Sequence, residues 1–235
     1  MKSIKVFGPP GTGKTSFLIR QVKFRLTGKL YDKDNKLIDT CSPVSAANIG
    51  YCSFTNEALR VAKKKMVEEC GVDYNDLQYF RTLHSLGYET QSFTNNTLIT
   101  QDDLKACFEN AGYAHIEDIT TDELTGKIEI KDPTLSLINY AKSRMMTLSE
   151  AFAKRPVSEN YSDIERKKEA IEIFCKRNGK KDFADMIPIT HKDIKKDEFK
   201  KIKYLFIDEA QDLSTRQFQF IQIIASLCDL KQLWI

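Results

Sequence analysis

A chain of 235 residues with 41% hydrophobic content can bury one large core or two small ones, and no stretch approaches the ~20 continuous apolar residues of a membrane span. The net charge of +3 is unevenly spread: residues 1–87 carry 14 basic and 8 acidic side chains, 88–133 carry 3 and 10, 134–203 carry 17 and 11, and 204–235 carry 2 and 4, which excludes a uniformly basic coat for nucleic acid and makes any strand-binding surface local. Six scattered cysteines without a C-x-x-C spacing exclude a zinc ribbon or redox pair and read as small buried hydrophobes of a reducing compartment; with no signal peptide legible at Met1-Lys2-Ser3-Ile4, a cytoplasmic protein is expected.

Ile4-Lys5-Val6-Phe7 predicts a short buried strand, and Ser16 to Val22 begins a helical period. Between them, Gly8-Pro9-Pro10-Gly11-Thr12-Gly13-Lys14-Thr15 matches the phosphate-binding loop G-x-x-x-x-G-K-[ST] at every position. Glycines at 8, 11 and 13 let backbone N–H groups turn inward around phosphate oxygens, and the following helix adds its positive end. The spacing gives Lys14 the β- and γ-phosphates and gives the Thr15 hydroxyl a Mg²⁺ ion, with Gly8 to Ser16 as the cofactor-binding stretch. A glycine-rich turn that binds nothing is the bland alternative, which the strand–loop–helix context opposes.

The first helix should stop near Thr27-Gly28, and Lys29 to Asn48 reads as a surface loop or small hairpin. Ile49 to Phe54 is a second core strand, followed by a helix capped by Thr55 or Asn56, whose Lys63-Lys64-Lys65 run reads first as a solvated face. Leu77 to Arg81 predicts a third strand, with Thr82, His84 and Ser85 at its carboxyl end, where parallel sheets bind ligands. There His84 is either a packing histidine or a phosphate or nucleic-acid contact.

From Tyr88 to about Lys180 the strand–helix alternation stops. Helices are predicted from Gln101, from Asp132-Pro133 and over 163–177, as an inserted, mostly helical subdomain. The expected division is a core domain of 1–87 and 181–235 interrupted by 88–180. Asp182 should cap a short helix, with Phe183, Met186 and Ile187 turned inward. Tyr204-Leu205-Phe206-Ile207 is then a purely apolar strand ending in Asp208-Glu209-Ala210-Gln211-Asp212. Such a strand delivers Asp208 to the shell of a Mg²⁺ ion and sets Glu209 beside it to orient and deprotonate a water. Ser214 should cap a helix to about Leu227, and 230–235 looks like a last strand.

The ordered segments GPPGTGKT, SFTNEAL, RTLHSL, KDFADMI and FIDEAQDLS resemble the N-terminal half of superfamily 1 helicases of the UvrD/Rep/PcrA type, over nearly the whole chain. The resemblance implies an α/β fold: a RecA-like P-loop NTPase parallel sheet flanked by helices, with a helical insertion. It implies ATP and Mg²⁺ as cofactors, single-stranded DNA or a duplex junction as partner, and ATP-driven translocation, generally 3′ to 5′, with unwinding. It carries over Glu209, Lys14 and Gln211 as catalytic, Thr15 and Asp208 as metal-holding, and Phe54, Thr55, Asn56, Thr82, His84 and Ser85 as nucleic-acid contacts. Two positions depart from the family: Glu57 stands where lysine is usual, and only Met1 to Ser3 precede the first strand, where relatives carry a glutamine that grips adenine. A second RecA-like domain is expected in the full-length protein, so the isolated chain should turn over little ATP. The rivals are a P-loop ATPase of another class acting on a protein, and a non-catalytic fragment that binds DNA or a helicase.

Overall fold

In this computed structural model, which describes residues 2–9, 11–94, 96–113, 119–122, 127–130, 132–195 and 197–235, the apolar runs of the sequence become strands of one parallel sheet. The chain opens with β1 (Lys2–Ile4), the phosphate-binding motif and α1 (Lys14–Thr27), which Gly28 ends in a left-handed conformation with φ 74°. The polar stretch that follows is an antiparallel hairpin of β2 (Lys29–Tyr31) and β3 (Leu37–Thr40). Next come β4 (Ile49–Cys52), α2 (Asn56–Cys70), β5 (Phe80–Arg81) and α3 (Leu83–Thr90). Then follow α4 (Gln101–Asn110), a second hairpin of β6 (Ile119–Asp122) and β7 (Lys127–Ile130), α5 (Pro133–Arg144), α6 (Leu148–Lys154) and α7 (Tyr161–Asn178). The chain returns through β8 (Tyr204–Ile207), α8 (Thr215–Leu227) and β9 (Gln232–Trp234).

The sheet order is β1-β9-β8-β4-β5, and every pairing is parallel. All four residues of β4 and all four of β8 are buried, as strands covered on both faces must be, which is why both read as uninterrupted apolar runs. Against them α1 lays Leu18, Ile19 and Val22, at i, i+1 and i+4, and α2 lays Leu59, Ala62 and Met66, at i, i+3 and i+7, each set on one helical face. Aromatic rings fill the middle: Tyr51 stacks on Phe80 with centroids 5.5 Å apart, and Phe206 on Trp234 at 5.8 Å. The fold is the RecA-like α/β type expected from the sequence.

Two compact units divide the chain. One comprises Met1–Leu86, Lys196–Leu213 and Ile221–Ile235; the other comprises Gly87–Lys195 and Ser214–Phe220. Within the second, Leu104, Phe108, Leu135, Ile138, Ala151, Ile164 and Ile171 form a core of their own. Its helices start where their caps say: Thr100 and Asp103 form a capping box on α4, Asp132 caps α5 with Pro133 in the first turn, and Asn160 caps α7. The short α6 is not among the expected helices, although Thr147 and Glu150 also form a capping box. The Asp182 carboxylate accepts the Asp185 N–H at 3.0 Å and opens a single 3₁₀ turn, Ala184–Met186; Ile187 is buried, while Phe183 and Met186 are half-buried. Lys142 pairs with Asp182 and Arg216 with Asp185, so charges drawn into this unit are matched.

Two strands differ from expectation. The first is Lys2–Ile4 rather than Ile4–Phe7; only Ile4 and Val6 are half-buried, and Phe7 is 87% exposed. The reason is its place at the sheet edge, where β9 pairs it on one side and nothing among the described residues pairs it on the other. The third is only Phe80–Arg81, because Asp73 caps a 3₁₀ turn at Tyr74–Asp76 and the Phe80 N–H closes on the Leu77 carbonyl at 3.1 Å, curling the segment that should have extended. All six cysteines are free thiols. Cys52, Cys107 and Cys228 are buried and Cys41, Cys70 and Cys175 half-buried; burial pushes the Cys52 and Cys228 thiols up to about 12, leaving them inert at neutral pH. Among the described residues no helix is long and apolar enough to cross a membrane.

Phe206 is fully buried and stacked, so Phe206→Ala should cost about 3–5 kcal/mol in a urea titration. A loss below about 1 kcal/mol would show that this strand is not the centre of the core.

Candidate nucleotide and nucleic-acid site

The phosphate-binding motif leaves β1 and enters α1 through two left-handed glycines, Gly11 at φ 79° and Gly13 at φ 81°, the latter the helix N-cap. No atom lies within 4 Å of where a Cβ would stand on either. The backbone angle, not crowding, is what demands glycine here. Thr12 donates to the Pro9 carbonyl at 2.8 Å, and the Lys14 amine donates to the carbonyls of Gly8 at 2.8 Å and Pro9 at 3.1 Å, so the lysine folds back over its own loop. Gly11, Thr12, Gly13 and Ser16 are exposed, Lys14 and Thr15 half-buried; Pro10 lies outside the described residues.

The opposite side of the site comes from β8, 193 residues further on. Asp208 stands at the carboxyl end of that strand, 3% exposed, and the Thr15 hydroxyl donates to its Oδ1 at 3.0 Å and its Oδ2 at 3.1 Å. The Asp208 N–H continues the ladder to the Cys52 carbonyl at 2.8 Å, so the position of the carboxylate is fixed by sheet hydrogen bonds. Oδ1 accepts the Glu209 N–H at 3.1 Å and Oδ2 accepts the Tyr51 hydroxyl at 2.9 Å. Burial, with the Asp208 charge and hydrogen bond adding to it, holds the Tyr51 phenol far above its ordinary range, so it is a hydrogen-bond donor at every physiological pH.

Glu209 takes φ 54°, a left-handed conformation that costs a non-glycine residue about 1–2 kcal/mol. The turn exposes its side chain, and Gln211 donates to its carboxylate from the 3₁₀ turn Ala210–Asp212 that follows. A hydroxyl and a carboxylate in contact are hard oxygen donors of the kind Mg²⁺ takes, and a lysine amine gathered over a loop of left-handed glycines suits phosphate oxygens. The residues present therefore fit a magnesium–nucleotide complex.

The two remaining segments leave neighbouring strands. β4 and β5 pair in parallel with Cys52 opposite Arg81, so Phe54-Thr55-Asn56 and Thr82-Leu83-His84-Ser85 emerge side by side at the sheet edge that also carries Asp208. Phe54, Thr55 and Asn56 are exposed; Thr82, His84 and Ser85 are half-buried. Two of the hydroxyls serve the backbone: Thr55 accepts the Ala58 N–H at 3.2 Å and caps α2, and Thr82 accepts the Ser85 N–H at 3.1 Å at the start of α3. Glu57 is held by Arg60 through both carboxylate oxygens, at 2.8 and 2.6 Å, and this hydrogen-bonded pairing lowers its pKa.

Sheet order, loop and acidic strand end together define a RecA-like P-loop domain. The chain belongs to the UvrD/REP helicase N-terminal domain family, whose model matches residues 1–230. Among curated proteins it is similar to two described as ATP-dependent DNA helicase Rep, both from Buchnera aphidicola. It is 22% identical over 224 residues to that of subsp. Acyrthosiphon pisum (strain APS), and 22% over 225 to that of subsp. Schizaphis graminum (strain Sg). Each alignment covers 92% of this chain and 32% of the relative, so the chain spans about a third of the length of these proteins.

Sequence reasoning misses Tyr51. Its signal is a phenol inside an otherwise apolar, fully buried strand, since a buried hydroxyl demands a partner.

If Glu209 holds its left-handed turn, Glu209→Gly should raise stability by about 1 kcal/mol and Glu209→Val should lower it, both read from thermal unfolding midpoints. Equal midpoints for the two variants would show that the turn is not strained.

Proposed function

We propose that this chain is the ATP-binding core of a UvrD-like DNA helicase that couples ATP hydrolysis to movement along single-stranded DNA, 3′ to 5′, and to duplex unwinding. The observation that carries the reading is the contact between Thr15 and Asp208, which puts the helix after the phosphate-binding loop and the end of an apolar strand at one point. In this reading Gly8 to Ser16 cradle the phosphates, Lys14 neutralises their charge, and Thr15 and Asp208 hold Mg²⁺. When bound, Mg²⁺ would neutralise negative charge on the nucleotide's phosphates. Glu209 orients and deprotonates water, and Gln211 holds the Glu209 carboxylate in place. Phe54 offers a ring face to a base, and Thr55, Asn56, Thr82, His84 and Ser85 offer small polar groups to phosphates without reading sequence.

The helical residues of 88–180 form an insertion in the core, and a second RecA-like domain, in a protein of the relatives' length, completes the site. The arginines of such a domain stabilise charge on the transferring phosphate, a contribution of about 10³–10⁵ in rate in comparable enzymes. These 235 residues alone should therefore bind nucleotide weakly, and lose that binding in Lys14→Ala.

Two measurements test the reading. Steady-state turnover of the chain should stay below about 1 s⁻¹ with or without oligonucleotide; DNA-stimulated turnover above that would contradict the need for a second domain. Fluorescence anisotropy should show salt-sensitive binding of a labelled single strand, weakened about tenfold by Phe54→Ala and also weakened by His84→Ala. Nucleotide binding with no strand binding at low salt would point instead to an ATPase with a protein partner. Strand binding without nucleotide binding would leave a non-catalytic module.

A further inference from the structure

We propose that Tyr51 is a positioning residue for Asp208: its hydroxyl, delivered from the neighbouring strand, fixes the orientation in which the carboxylate faces Thr15. This rests on the reading of Thr15 and Asp208 as the metal-holding pair and adds to it a residue that neither motif contains.

Tyr51 lies in β4, directly opposite Phe206 of β8 on one side and Phe80 of β5 on the other. Its side chain is fully buried, and its ring stacks on Phe80 at an interplanar angle of 26°. A phenol so enclosed has no rotamer freedom to spare, so its hydroxyl is a fixed point. That point sits 2.9 Å from Asp208 Oδ2. A carboxylate on a single χ2 torsion can otherwise swing. Here the Glu209 N–H holds Oδ1 and the Tyr51 hydroxyl holds Oδ2, and the remaining lone pairs are left to the Thr15 side. A phenylalanine would fill the same ring volume against Phe80, so the packing does not explain the hydroxyl. An outer donor that orients a metal-holding carboxylate typically changes metal affinity 10–100-fold when removed.

The test uses the whole chain and the fluorescent, non-hydrolysable nucleotide mant-AMP-PNP, titrated with and without saturating Mg²⁺. In the unaltered chain Mg²⁺ should tighten binding. In Tyr51→Phe that gain should fall about tenfold while affinity without Mg²⁺ stays within about twofold, a split that general loosening of the core would not produce. Asp208→Asn should abolish the gain. A full gain in Tyr51→Phe overturns the role of Tyr51 alone; no gain in the unaltered chain overturns it together with the metal-site reading. Should Tyr51→Phe fail to fold, tyrosine labelled with ¹³C at Cζ in the unaltered chain still decides the matter. The Tyr51 resonance should move when Mg²⁺ is added to the nucleotide-bound chain, and a stationary resonance would reject the proposal.

Discussion

The carboxylate of Asp208 is the point on which the first unit is organised. It is a buried acceptor, and a buried carboxylate is tolerable only when donors surround it. The three donors come from three places in the chain: the Thr15 hydroxyl in α1, the Tyr51 hydroxyl in β4, and the Glu209 N–H beside it. Satisfying them fixes α1 against the sheet, fixes β8 beside β4, and forces the chain to turn sharply after Ile207. The left-handed backbone of Glu209 belongs to that turn and brings the next carboxylate out to solvent. Adjacent acidic residues thus face opposite conditions, one enclosed by donors and one exposed, which is what the proposed division between holding a metal and activating a water asks of them.

Strand order makes this possible. β9 lies between β1 and β8, so the phosphate-binding loop and Asp208 leave the sheet from strands that are not hydrogen-bonded to each other. The helix that the loop begins returns to the end of β8 through its second residue, Thr15, whose hydroxyl meets Asp208. On the far side of β8, β4 and β5 put the Phe54 and His84 segments at the same sheet edge. The stacked pair of Tyr51 and Phe80 joins these strands directly behind the carboxylate.

How much of this was legible in sequence follows from how local each determinant is. The phosphate-binding loop, the Thr55 and Ser214 caps, the Gly28 stop and the strand at Tyr204–Ile207 depend on neighbours within one turn of chain, and each stands where the sequence puts it. The edge exposure of Phe7 depends on which strand pairs with β1, and that partner lies 230 residues away. The early end of the Leu77 run depends on competition between a strand and a capped turn at Asp73, which apolar content alone does not settle. The role of Tyr51 is hidden for the same reason as the exposure of Phe7: its phenol inside an apolar strand signals that a partner is needed, but the partner lies 157 residues away.

The departure at Glu57 also resolves in local chemistry. An acid beside a proposed phosphate path would repel the strand if its charge were unopposed. Arg60, one turn later on the same helix, takes it bidentately and turns a repulsive point charge into an exposed, nearly neutral pair that contributes little to stability. Further along α2, Lys63 lies over the Tyr74 ring at 4.7 Å and Lys64 reaches Glu68 at 3.7 Å. The lysine run is therefore partly occupied by its own surroundings and reads as a solvated helix face. In the proposed reading, strand contact is then left to the exposed ring of Phe54 and the small polar groups at the two strand ends, which can hold a phosphate backbone without reading its sequence.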